Sequence, residues 1–514
     1  MSNRETFIEL INKGYTFKND SIVLGGAMLD KEALPNTLVK LPLKMFNRHG
    51  LIAGATGSGK TKTLQIIAEQ LAAKSVPVLL MDIKGDLSGI AMPSAGHPKI
   101  DERHAKIGIP FQADSSPVEF LSLSEEKGAR LRATVSEFGP VLFSKILDLN
   151  DTQSGVVAVI YKYCDDNNLP LLDLKDFKKT IQYVTGEGKA EIEEMYGRIS
   201  TASTGAIMRK IVELEQQGAE VFFGERSFDV EDLCRLDENG KAMVSIIRLT
   251  DIQDRPKLFS TFMLQILAEI YATFPEEGDL EQPKLVIFID EAHLVFDEAS
   301  DALQDQIEAI VKLIRSKGVG LYFVTQNPAD IPESVLSQLG LKIQHALRAF
   351  TAKDRKAIRL ASQNYPETDF YEVDQLLTEL GIGEALVTTL NEKGIPTPLV
   401  HTLLRAPQSR MDILTEGEIN NILKQSNLLR KYNEEIDRKS AYEILGQKID
   451  RAREEEHKEN MQAQRQKASR TTSRRQRKST FEKIISNTTT RQIGRTIARE
   501  LTRGLLGVLG IKKR

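Results

Sequence analysis

The octapeptide GATGSGKT at residues 54–61 constrains this chain more than any other stretch. It has the spacing G-x-x-x-x-G-K-[ST], and each position has a mechanical reason. Glycines let the backbone curl until its N–H groups converge on a phosphate, and a helix starting at the last residues adds the positive end of its dipole. Lys60 is placed to reach the β- and γ-phosphates of a nucleoside triphosphate, and the Thr61 hydroxyl to ligate Mg²⁺. The expected nucleotide-binding set is Gly54, Ala55, Thr56, Gly57, Ser58, Gly59, Lys60, Thr61 and Lys62. Context supports this: Gly50–Ala53 reads as a strand and 60–74 as a helix with Leu64, Ile67, Ala68 and Leu71 on one face. VPVLLMD at 76–82 follows, a continuous apolar run suited to a parallel strand buried on both faces. Strand, loop, helix, strand is the opening of a parallel α/β sheet.

A site that hydrolyses a triphosphate also needs carboxylates. KLVIFIDEAH at 284–293 ends an apolar run in Asp290 and Glu291, at the strand end where open α/β sheets bind ligands. Asp290 is expected to hold Mg²⁺ through water and Glu291 to polarise the attacking water. His293 fits either a local hydrogen bond at a helix start or a coupling role. The run 319–325 ends in Gln326, placed to touch the γ-phosphate or the water and report hydrolysis. Asp82, with Lys84 and Asp86 after it, fits both a metal's outer shell and simple turn chemistry around Gly85.

Absent motifs narrow the class. No NKxD guanine-reading motif follows the core, no LSGGQ signature is present, and the QRxGRxGR motif of a second helicase lobe is missing. The stretches LIAGATGSGKTKTLQ, LLMDIKGDLSGIA, RLTDIQDRPKLFSTFMLQIL, LVIFIDEAHLVFD, IRSKGVGLYFVTQNPADIP and KIQHALRAFTAKDRKAI run in fixed order through residues 48–405. In these the chain resembles the HerA/FtsK group of hexameric DNA translocases, within it the bacterial HerA-like branch of the YjgR type. The resemblance implies a RecA-like P-loop ATPase using ATP and Mg²⁺, assembled as a homo-hexamer with ATP at subunit boundaries. It implies DNA as the polymer moved, and a nuclease or other protein as a further partner. Archaeal HerA carries an N-terminal β-barrel that recruits its nuclease; here some forty residues precede the core. In such rings a neighbour's arginine stabilises charge on the transferring phosphoryl group. Arg315, before the Gly-x-Gly turn, is the first choice for that role and Arg348 the second. An alternative within the same fold is a ring ATPase acting on protein, or a regulatory ATPase that does not translocate.

The fold class expected is α/β, a RecA-like core with a mostly parallel sheet. Residues 1–40 read as a lead-in with a turn at Gly25–Gly26, 41–124 and 219–410 as the core, and 125–218 as an all-helical insertion. Residues 411–463 read as a charged helical segment, and 464–514 as a basic, partly disordered tail. From His457 to Arg514 sixteen Lys or Arg face three Glu, so the formal net charge of −3 hides a cationic end on an acidic body. Within it Ile493, Ile497, Leu501 and Leu505 alternate with Arg491, Arg495, Arg499 and Arg503, an amphipathic helix suited to DNA phosphates or a neighbouring subunit. Two distant cysteines exclude a disulfide framework. No long apolar run suggests integral membrane association, so the expected location is the cytoplasm.

Overall fold

The computed structural model describes residues 2–251, 255–278, 280–296, 301–349, 351–434, 436 and 438–470. Among these the chain forms two compact units. The first takes in the chain to Arg132, Gln217–Phe222 and Arg226–Glu434. The second takes in Ala133–Gln216 and Phe223–Glu225, together with the long helix Ala441–Arg470.

The first unit is built on a twelve-stranded sheet. Its strands are β1 (Ser21–Leu29), β2 (Glu32–Pro42), β3 (Gly50–Ala53), β4 (Val78–Asp82), β5 (Val118–Ser122), β6 (Ala129–Arg130), β7 (Val244–Arg248), β8 (Leu285–Ile289), β9 (Val319–Thr325), β10 (Leu341–Gln344), β11 (Glu384–Thr388) and β12 (Val400–Leu404). Their spatial order is β2-β1-β12-β11-β10-β3-β9-β8-β4-β7-β5-β6. From β10 to β6 every pairing is parallel, and β11, β12, β1 and β2 add an antiparallel wing. The central parallel strands read VLLMD, LVIFI and VGLYFVT and are buried at every position. Helices cover both faces of such a sheet, so no strand needs a polar side. The mostly parallel α/β class expected from the sequence is the class observed.

The wing differs from the sequence reading. Residues 1–40 were expected as a lead-in turning at Gly25–Gly26, yet both glycines lie mid-strand in β1. A Cβ on Gly25 would fall 2.1 Å from the Leu403 carbonyl oxygen, so the glycine is there for close backbone approach to β12 rather than for a turn. Val78–Asp82 does not neighbour the strand that enters the phosphate loop; β9 and β8 stand between β3 and β4.

The second unit is helical. Val135–Ile146, Asp151–Asp166, Leu174–Thr185, Lys189–Tyr196 and Thr201–Gln216 surround the clustered rings of Phe143, Tyr161 and Phe177, with Phe143 and Phe177 centroids 4.8 Å apart. Asn150 and Asp173 cap two of these helices. Ala441–Arg470 docks on Leu174–Thr185, where the Tyr442 N–H donates to Asp176 Oδ1 at 2.8 Å. The charged segment 411–463 is therefore divided: Glu416–Gln425 and Asn427–Tyr432 belong to the first unit, and the long helix to the second. That helix also continues past residue 464, where the sequence suggested irregular chain. The rest of the basic tail, with its expected amphipathic helix, lies outside the described residues.

Candidate active site

The phosphate loop connects β3 to helix α1 (Lys60–Ala73). Gly54, Gly57 and Gly59 take φ of 151°, 76° and 112°, the region that favours glycine. At Gly54 space is limiting as well, because a Cβ would sit 2.5 Å from that of His345. The Ser58 hydroxyl donates to the Ala55 carbonyl at 2.7 Å and braces the curl. Gly59 is the N-cap of α1 and has no side chain with which to cap it, which leaves the first-turn N–H groups directed at the loop. Lys60 is buried and its ammonium donates to the Gly54 carbonyl at 2.6 Å and to Ala55 at 3.2 Å. Burial holds its pKa below the usual lysine range; Lys84 adds to the effect, and Glu291 and Asp290 oppose it.

Sheet register sets the rest of the site beside this loop. Ala53 pairs with Thr325 of β9, and Ile289 of β8 with Phe323, so the two strands deliver Gln326 and Asp290–Glu291 to the same edge. The Thr56 hydroxyl donates to Gln326 Oε1 at 3.4 Å. Asp290 and Glu291 are 4% and 5% exposed. Asp290 Oδ2 is buried without a hydrogen-bond partner, and its carboxyl is pushed up to about 6, by burial first and then by Glu291. Glu291 has φ of 46°, a left-handed conformation costly for a side chain of this kind. Its carboxylate is paired with the Lys84 ammonium and faces His293 Nδ1 at 3.3 Å. His293 therefore touches the expected base.

Asp82 resolves toward turn chemistry. Its carboxylate accepts the N–H groups of Gly85, Asp86 and Leu87 at 2.8, 3.1 and 3.2 Å. Burial pushes it up to about 7. The turn so held presents Lys84 to Glu291, a role the sequence reading did not assign. Lys62 also does something different from the expectation: its ammonium donates to the Met411 carbonyl at 2.5 Å. His345 was missed altogether. It is fully buried, its Nε2 lies 2.9 Å from the Thr63 hydroxyl, and burial together with Lys60 lowers its pKa to about 4. Its signal was a lone polar ring inside the run 341–347, one strand over from the loop.

The two arginines are placed differently. Arg348 is exposed, two residues past Ala346, whose carbonyl accepts the Ala55 N–H at 2.8 Å, and so lies on the edge with the loop. Arg315 precedes β9 and stands at the opposite edge. At about 3.3 Å per residue the strand sets it roughly 20 Å from its own phosphate loop.

A model of the helicase HerA-like C-terminal region matches residues 28–514. The chain belongs to the HerA-like helicase family. It is 26% identical over 401 residues to the DNA double-strand break repair helicase HerA of Pyrococcus furiosus, covering 72% of this chain and 68% of the relative. The corresponding helicase of Sulfolobus acidocaldarius is 22% identical over 384 residues, 71% of this chain and 66% of the relative. The chain thus spans about two thirds of the length of these relatives. The bacterial conjugative coupling protein TrwB, in its trigonal form with sulphate, shares the fold at a TM-score of 0.50 and 13% identity, over 79% of this chain and 94% of that one. In this HerA-like chain the phosphate loop, the two carboxylates and Gln326 share one edge of a RecA-like sheet. Among its described residues no helix is long and apolar enough to cross a membrane.

Proposed function

We propose that the chain is the ATP-hydrolysing subunit of a homo-hexameric ring that moves DNA. The convergence of Lys60, Asp290, Glu291 and Gln326 at the C-terminal edge of β3, β8 and β9 carries the ATPase reading. In this reading the loop N–H groups and Lys60 hold the β- and γ-phosphates. Asp290, through water, and Thr61 fit Mg²⁺: one buried carboxylate oxygen has no protein partner, and a hydroxyl opens the helix. Among the described residues no group of three or more His, Cys, Asp or Glu suits a metal by itself. That is compatible with an ion that takes one or two carboxylates and completes its shell with phosphate oxygens. Mg²⁺ would supply neutralisation of the phosphate charge.

Glu291 takes the proton from the attacking water. Its pairing with Lys84 occupies the carboxylate edge needed for that, so exchange of Lys84 for water belongs to the step. Gln326, bonded to Thr56 of the loop, responds to the state of the γ-phosphate. The distance of Arg315 from its own phosphate loop supports reading it as the arginine that serves a neighbour's site, with Arg348 the second choice. The names of the relatives support DNA as cargo. ATP turnover measured with and without duplex DNA at low salt tests this. Stimulation is expected, and an unchanged rate in a particle that hydrolyses ATP would remove DNA from the proposal.

A further inference from the structure

The phosphate loop has two flanks. On one stand β9 and β8 with the groups that act on the γ-phosphoryl; on the other stand β10 and β11. The second flank ends in Gly381–Ile382–Gly383, at the start of β11, on the same edge as the loop because β11 runs antiparallel to β10. Ile382 is 73% exposed there. Its segment is firmly held. The Gly383 N–H donates to the Ser58 carbonyl at 3.1 Å, and a Cβ on Gly59 would lie 3.3 Å from Gly383 N. The Arg103 guanidinium donates to the carbonyls of Gly383, Leu404 and Ile382 at 3.1, 3.0 and 3.2 Å. The Glu384 carboxylate accepts the Gly381 N–H at 3.0 Å and pairs with His401 at 3.0 Å. So many bonds fix a tip whose only outward group is an aliphatic side chain.

A nucleotide is longer than its phosphates. If its γ-phosphoryl points at Glu291, its nucleoside must leave the loop toward the opposite flank, where Ile382 stands. We propose that Ile382 is the apolar platform on which the purine base of the bound nucleotide packs. This rests on the reading of residues 54–61 as the ATP site and adds to it where the base goes. An isoleucine side chain presents an apolar face for packing and no hydrogen-bonding edge. The platform therefore recognises the aromatic ring without separating adenine from guanine.

Calorimetric titration of the full chain with MgATP, MgGTP and inorganic tripolyphosphate tests this. Wild type should bind the two nucleotides within about threefold of each other. Ile382→Ala should weaken both about tenfold, the scale of a few lost methylene contacts, and leave tripolyphosphate within about twofold. Ile382→Leu should restore nucleotide affinity. Unchanged ATP affinity in Ile382→Ala would overturn the platform, as would an equal loss for ATP and tripolyphosphate, which would mark damage to the loop itself. A wild-type chain that binds neither would overturn the ATP site, a different failure from either of these.

Discussion

The two flanks of the phosphate loop are built on opposite principles. The β9–β8 flank buries charge: Asp290 and Glu291 sit almost out of water, one with an unpartnered oxygen and the other on a left-handed backbone. The β10–β11 flank spends its charges, Arg103 and Glu384, on bracing the tip and offers an aliphatic side chain to solvent from a rigid turn. The first is arranged at a cost that only chemistry explains; the second is a surface for packing. Binding and hydrolysis are thus assigned to different strands of one sheet and are separable by mutation.

The largest expected effect concerns whether the charged flank is complete within one chain. Arg315→Ala should lower ATP turnover by about 10³-fold or more while nucleotide affinity holds. Mixing that variant with Lys60→Ala subunits should recover part of the activity, measured as ATPase rate against mixing ratio. A strictly additive loss would place the arginine in its own subunit's site. Next, Glu291→Gln should cut hydrolysis by roughly 10²–10⁴-fold and leave ATP bound, seen as retained label after filtration. Equal loss of binding would show that the flanks are not independent.

The smallest effect addresses the foundation both flanks share. His49, just before β3, is buried, with Nε2 2.8 Å from the Val311 carbonyl and Nδ1 accepting the Leu321 N–H at 3.0 Å. That pattern requires the neutral ring, and burial lowers its pKa from 6.5 to about 4. A histidine depressed in the folded state stabilises the fold fully above its ordinary pKa. That stability is lost as pH falls from about 6.5 toward 4, since only the unfolded chain takes up the proton there. The loss is of order 3 kcal/mol for a shift of this size. Denaturant melts between pH 7 and 4.5 should show the decline, and His49→Gln should flatten it while starting from lower stability.

What the sequence revealed divides along the same line. The charged flank was legible because its strands are buried on both faces, so LVIFI and VGLYFVT stand out as unbroken apolar runs with Asp290, Glu291 and Gln326 at their ends. The apolar flank was not. Ile382 lies between two glycines in a stretch that reads as an ordinary loop, and only antiparallel pairing of β11 with β10 carries it to the nucleotide edge. Lys84 stands out in the sequence, but its partner Glu291 lies in the turn after β8, some two hundred residues away. Gly25 and Gly26 read as a turn because a close backbone approach to Leu403 leaves no local signal. The helical insertion was legible, but the return of Ala441–Arg470 to it was not, because docking near residue 174 is a tertiary event.

His49 has one more consequence. Standing one residue before β3, it bonds Val311 of the helix Asp301–Ile314, which runs into the turn opened by Arg315, and Leu321 of β9. In the proposed ring, the arm extended to one neighbour and the hand that grips one's own nucleotide would share a single hinge pin. A push on either would reach the other through one buried ring, without any large motion between them.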